Sequence, residues 1–166
     1  MVYLVMGLPG TGKTFFAKTL AEKLDASHYN SDAVRAENGL MGSYDPESKE
    51  EVYRILLEAM MNKARQGEDV VIDATFVKKE LRERFIHPLE KEGIPFRLIR
   101  MVADREVIAE RVQKERPDSE AGIEVYDRLY ESFDPVDREH SVLDSGKLTI
   151  EEMLGRILEG TKDQSR

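Results

Sequence analysis

The chain has 166 residues, a length that fits one domain with a core of its own. It is 40% hydrophobic and 35% charged, which excludes a disordered chain, and no apolar run approaches the ~20 residues of a bilayer-spanning helix. A net charge of −8 argues mildly against broad nucleic-acid binding while leaving room for a local basic groove; the absence of cysteine excludes disulfides, thiolate metal sites and a cysteine nucleophile, and fits a cytoplasmic protein.

Met1 leads straight into VYLVM (2–6), a short apolar run that reads as a strand and lacks the basic leader and cleavage site of a signal peptide. TFFAKTLAEKL follows, with Phe16, Leu20 and Leu24 on one helical face. SHYN (27–30) is a weaker strand. Asp45 and Pro46 supply a cap and a first-turn proline for a helix running to about residue 66, with Val52, Ile55, Leu56, Ala59 and Met60 at helical spacing. DVVID (69–73) has the pattern of a strand buried on both faces. Residues 78–91 read as a helix that Pro88 kinks or divides. FRLIRMV (96–102) is a fourth strand. Asp104 then caps a helix carrying Val107, Ile108 and Val112. After the polar break ERPDSEAG comes a helix with Val125, Leu129 and Phe133, then a fifth strand, HSVLD (140–144). TIEE (149–152) is a capping box opening a last helix with Met153, Leu154, Ile157 and Leu158 on one side, and 161–166 is a polar tail. Strands alternating with helices point to one α/β domain over 1–160, a parallel sheet covered on both faces.

GLPGTGKT fits G-x-x-x-x-G-K-[ST] at every fixed position, between a strand and an amphipathic helix. The expected nucleotide-binding set is Gly7, Leu8, Pro9, Gly10, Thr11, Gly12, Lys13, Thr14 and the adjoining Phe15. Glycines let the backbone turn its amides toward phosphate oxygens, and the helix N-terminus adds partial positive charge. Lys13 can reach the β- and γ-phosphates of ATP, and the Thr14 hydroxyl can bind Mg²⁺.

VVIDAT places Asp73 at the carboxyl end of a buried strand, where ligands bind in parallel sheets. Asp73 there can support Mg²⁺ or acceptor, with Thr75 beside it, or the pair can cap the next helix. Ala74 stands where hydrolysis-only enzymes carry a second acid. In YNSDAVR, Asp32 has two readings. It is a helix N-cap, or it is the base that takes a proton from a substrate hydroxyl. Ser31 and Arg35 accompany it, and Arg35, one turn on, can pair bidentately with an anionic acceptor.

Taken together, GLPGTGKTFFAKTLAEKL, NSDAVR and VVIDATF resemble the P-loop kinases of the polynucleotide-kinase-like group, which is related more distantly to the zeta-toxin and chloramphenicol phosphotransferase families. ERVQKERPDSEAGIEVYDRLYESF looks like that group's arginine-bearing lid and following helix, a lid of about 104–133. The resemblance implies a five-stranded parallel sheet in the order 2-3-1-4-5. It implies Asp32 as general base, Arg35 on an acceptor-side anion, and Asp73 at the metal or acceptor site. Arg116, with Arg111 as the alternative, would reach the transferred phosphate, and the LDSGK stretch (143–147) would pack adenine.

The acceptor this implies is the 5′-hydroxyl of RNA or DNA. A small alcohol such as a nucleoside, sugar or antibiotic is the rival, and a nucleotide-binding switch without acceptor is the reading from another class. Lys78, Lys79, Arg82 and Arg84 could line a nucleic-acid groove or form a solvated face. Phe76 or Tyr44 could stack on a base or anchor the fold. His28, His87 and His140 have no metal-ligand spacing and read as structural, and Tyr126, Tyr130 and Phe133 read as core.

Overall fold

The computed structural model describes residues 1–115 and 121–162. Five strands form one parallel sheet: β1 (Val2–Gly7), β2 (Ser27–Asn30), β3 (Val70–Ala74), β4 (Phe96–Val102) and β5 (Ser141–Asp144). Their order is β2-β3-β1-β4-β5, the order expected for this fold. Every step along the chain is a crossover, because parallel neighbours cannot be joined by a tight turn. The crossovers are α1 (Lys13–Leu24), α2 (Ser31–Glu37) with α3 (Pro46–Arg65), α4 (Lys79–Lys91), and α5 (Arg105–Glu115) with α6 (Ala121–Ser132); α7 (Ile150–Lys162) follows β5.

Alternation along the central strand assigns its two faces. Val2, Leu4 and Met6 pack with Val52, Leu56 and Met60 of α3 and Phe85, Ile86 and Leu89 of α4. Tyr3 and Val5 pack with Phe16 and Leu20 of α1 and Met153 and Ile157 of α7. Burying a side chain of this size stabilises by roughly 2 kcal/mol. A third cluster of Leu8, Ile108 and Tyr126 seats α5 and α6 against the phosphate loop.

Several local signals operate as the sequence suggests. Asp45 accepts from Ser48 N at 2.9 Å with Pro46 in the first turn of α3. Thr149 and Glu152 form the reciprocal capping box, at 2.8 and 3.2 Å. Two expectations need correction. Pro88 lies inside α4 without dividing it, since its carbonyl still accepts from Glu92 N at 3.1 Å and Phe85, Ile86 and Leu89 stay buried around it. The last helix runs into the expected tail, to Lys162; residues 163–166 lie outside the described residues. No helix among the described residues is long and apolar enough to cross a membrane.

Candidate active site

The phosphate loop joins β1 to α1. Gly10 (φ 82°) and Gly12 (φ 77°) hold left-handed backbone that side chains disfavour. At Gly10 space is also closed, because a Cβ there would meet Ile108 Cγ2 at 2.8 Å. Gly12 is the N-cap of α1 and offers no side chain to its amides, so they face the loop as an anion-binding end. Thr11 is buried and braces the loop by donating Oγ1 to Leu8 O at 2.7 Å. Phe15 is 65% exposed.

Asp73, fully buried, is the hub. The register sets it beside Val5 of β1 and Asn30 of β2, so three strand ends converge there. Lys13 Nζ lies 3.0 Å from Oδ1 as an ion pair outside hydrogen-bond alignment, which leaves that buried oxygen without a hydrogen bond. Oδ2 meets His28 Nε2 at 3.2 Å and accepts from Asn30 Nδ2 at 2.8 Å. Burial pushes the Asp73 carboxyl up, but His28, Lys13 and Asn30 together hold it below the usual aspartate range. Thr14 Oγ1 is 3.3 Å from Asn30 Nδ2, on the same patch. The Thr14 hydroxyl and the Asp73 carboxylate, one of whose buried oxygens is held only by the Lys13 ion pair, lie beside the phosphate cradle and suit a hard cation such as Mg²⁺ that keeps water and phosphate ligands. Among the described residues no three His, Cys, Asp or Glu side chains form a metal cage of their own.

The N-cap reading of Asp32 is overturned. The cap of α2 is Asn30, whose Oδ1 accepts from Asp32 N at 2.9 Å and Ala33 N at 3.0 Å. Asp32 sits inside the first turn, exposed, with no hydrogen bond or ion pair to its carboxylate among the described residues. Ser31 opens the same turn, half-buried. Arg35, expected in an open cleft, is instead 6% exposed. Its Nη1 donates to Ser43 O at 3.0 Å, its guanidinium lies 4.6 Å from the Tyr44 ring centroid, and its Nε has no hydrogen-bond partner among the described residues. Tyr53 of α3 closes this corner. Burial pushes its hydroxyl pKa up, a hydrogen bond with Thr75 and the charge on Arg35 oppose that, and Asp32 adds to it. Thr75, Arg35 and Asp32 thus all act on the Tyr53 hydroxyl.

The other flank of the loop is built by Arg111 of α5. Its Nη1 donates to Gly10 O at 2.9 Å and Ser145 Oγ at 2.8 Å, and its Nη2 to Ser145 O at 3.1 Å. Ser145, within LDSGK, donates in turn to Thr11 O at 2.7 Å. Arg111 therefore braces the loop from behind. Arg116 and Pro117 lie outside the described residues. A cavity of about 210 Å³ opens beside Leu8, walled by Arg100, Asp104, Tyr126, Tyr130 and Phe133. Tyr126 is buried as expected of a core residue, but Tyr130 is 61% exposed and Phe133 receives the Arg100 guanidinium at 4.8 Å.

The basic stretch of α4 is neutralised. Lys78 bonds Ser132 O and lies 3.5 Å from Asp134, Lys79 pairs with Asp137, and Arg84 makes a two-pronged pair with Glu50 at 2.7 and 2.8 Å. Arg82 is buried and donates to four backbone carbonyls. Phe76 is core, in edge contact with Phe85 at 5.1 Å. His28 and Asn30 are the site residues that sequence reading missed. The strand register carries the signal for both, since it sets His28 beside Val71 and Asn30 beside Asp73.

The family described as AAA domain matches residues 2–136. Among solved structures, APE1195 is 24% identical with a TM-score of 0.82, over 98% of this chain and 95% of that one. A gluconokinase from Sinorhizobium meliloti 1021 is 16% identical with a TM-score of 0.70, over 99% and 97%. An APS kinase from Mycobacterium tuberculosis, in complex with AMPPNP and APS, is 19% identical with a TM-score of 0.70, over 97% and 96%. At these identities the likeness to the solved structures shows the fold.

Proposed function

The chain belongs to the AAA domain family, and from that premise we propose that it is a kinase that transfers the γ-phosphate of ATP to a hydroxyl of a small, anionic acceptor. The observation that carries this reading is the free carboxylate of Asp32. Asn30 takes over the capping of α2, so Asp32 is presented one strand away from the Lys13–Asp73 pair with no structural duty. A base in this position accepts the acceptor hydroxyl proton as its oxygen bonds to the γ-phosphorus and the bond to ADP breaks. A pure nucleotide switch has no use for it.

Lys13 leaves Asp73 to meet the β- and γ-phosphates, a short move because its partner lines the same cradle. Thr14 and Asp73 would hold Mg²⁺, which supplies charge neutralisation on the phosphate oxygens. Arg111 is held on Gly10 and Ser145 at the edge of the loop, and it and Arg116, which lies outside the described residues, are the two candidates for the transferred phosphate. Arg35, whose buried Nε has no hydrogen bond among the described residues, would turn its guanidinium to an anionic group on the acceptor. The gluconokinase and APS kinase neighbours are, by name, enzymes of small molecules. The neutralised α4 and the net charge of −8 remove the basis for a long nucleic-acid groove. The 5′-hydroxyl end of a polynucleotide remains the second reading, favoured by Arg35 alone, whose partner would be the adjoining phosphodiester.

The test is transfer of labelled phosphate from γ-labelled ATP to sugars, sugar acids, nucleosides and 5′-hydroxyl oligonucleotides. Transfer to a small acceptor, reduced about 10³-fold in Asp32→Asn with ATP affinity retained, supports the reading. Transfer to oligonucleotides alone shifts it to the polynucleotide. ATP binding without transfer to any acceptor overturns it.

A further inference from the structure

Asn30 ends β2 and is 9% exposed. Its carboxamide has four hydrogen-bonding positions, two donor and two acceptor, and the fold occupies all four. Oδ1 accepts from Asp32 N and Ala33 N. Nδ2 donates to Asp73 Oδ2 at 2.8 Å and Thr14 Oγ1 at 3.3 Å. The orientation of the amide is dictated by chemistry. The two backbone amides can only donate, so the oxygen must face the helix, and the Asp73 carboxylate can only accept, so the nitrogen must face the site.

We infer that Asn30 is a positioning residue that locks the Asp32-bearing helix to Asp73 and Thr14, an inference that rests on the kinase reading. One side chain joins the second strand end, the third strand end and the phosphate loop. The two donor bonds differ in strength. The bond to Asp73 is short and charge-assisted; the bond to Thr14 is long. Thr14 can therefore turn its oxygen to a cation or phosphate by releasing only the weaker bond, while α2 stays seated on Asp73 and Asp32 keeps its place.

Other cap residues cannot do this. Serine and aspartate cap helices about as well as asparagine. Serine has a single oxygen, which at the helix end leaves Asp73 Oδ2 without its amide donor. Aspartate would set a second carboxylate against Asp73 at hydrogen-bond distance, a like-charge contact. These two variants separate capping from positioning.

The experiment compares Asn30→Ser, Asn30→Asp and Asn30→Ala with the parent in phosphoryl transfer and in affinity for a fluorescent ATP analogue with Mg²⁺, after circular dichroism confirms each is folded. The expected result is that Asn30→Ser lowers kcat about tenfold while the KM for ATP stays within about twofold, because the base is misplaced and the nucleotide loop is intact. Asn30→Asp lowers nucleotide affinity about tenfold, because the added carboxylate competes for Lys13. If Asn30 only caps α2, the serine and aspartate variants match the parent in both measurements and the alanine variant alone falls; that result overturns the inference. Should the serine variant fail to fold, the aspartate variant, equal in volume and in capping, decides. The affinity measurement needs no acceptor, so a parent that binds nucleotide but phosphorylates nothing defeats the kinase reading, while the aspartate variant still reports whether Asn30 couples to the Lys13–Asp73 pair.

Discussion

Arg82 and Arg35 are both buried arginines near a strand end, and they differ in what their donors meet. Arg82, 3% exposed, donates to Phe76 O, Val77 O, Asp134 O and Pro135 O. It thereby pins the loop after β3 to the segment leaving α6, where Asp134 also caps α4 through Lys79 N at 2.8 Å. Arg35, 6% exposed, has one hydrogen bond and an orphaned Nε. A buried donor without a partner is costly, so the two arginines contribute very differently to stability. The same residue type is a saturated structural tie in one place and a buried cation with donors to spare in the other, which is why the proposed acceptor contact is assigned to Arg35. Sequence position does not distinguish them; the count of carbonyls within reach does.

Arg82→Ala should cost the most. Four backbone carbonyls, that of Phe76 buried and the others partly so, lose their donor at once, and we expect a loss of about 3 kcal/mol in urea unfolding, enough to endanger folding at 37 °C. Arg35→Ala should lower kcat/KM for the anionic acceptor about 100-fold through KM, leave the KM for ATP within about twofold, and cost about 1 kcal/mol of stability. Equal stability losses in the two variants would break the contrast.

A smaller effect belongs to Asp73, whose carboxyl is held below the usual aspartate range in the folded state. The contribution of such a group is complete above the pH where an unfolded aspartate ionises, about 4, and is lost as pH falls through its folded value. Melting temperature followed down to pH 2 should show this loss, and Asp73→Asn should flatten that part of the curve. The smallest effect should come from Arg84→Met. Its pair with Glu50 is at the surface, so unfolding should change by less than about 0.5 kcal/mol and transfer to every acceptor should stay as in the parent. A loss of oligonucleotide phosphorylation in that variant would reinstate α4 as a binding face.

The sequence alone determined the fold class, the strand order through its resemblance, the phosphate loop, and the helix ends at Asp45 and Thr149. These are written in short-range patterns: glycine spacing, alternation, and caps within four residues. It also marked Asp32, Arg35 and Asp73 as the residues to watch. Only the tertiary structure decided what each of them touches. Asn30 displaces Asp32 as the cap because its amide also finds Asp73 across a 43-residue gap. His28 reaches Asp73 because β2 and β3 pair in one register and no other. Arg111 and Arg35 turn inward, and Lys78, Lys79 and Arg84 meet acids from α3 and from the segment after α6. Such contacts depend on three-dimensional register and on which buried polar group lacks a partner, and neither quantity is local to the chain.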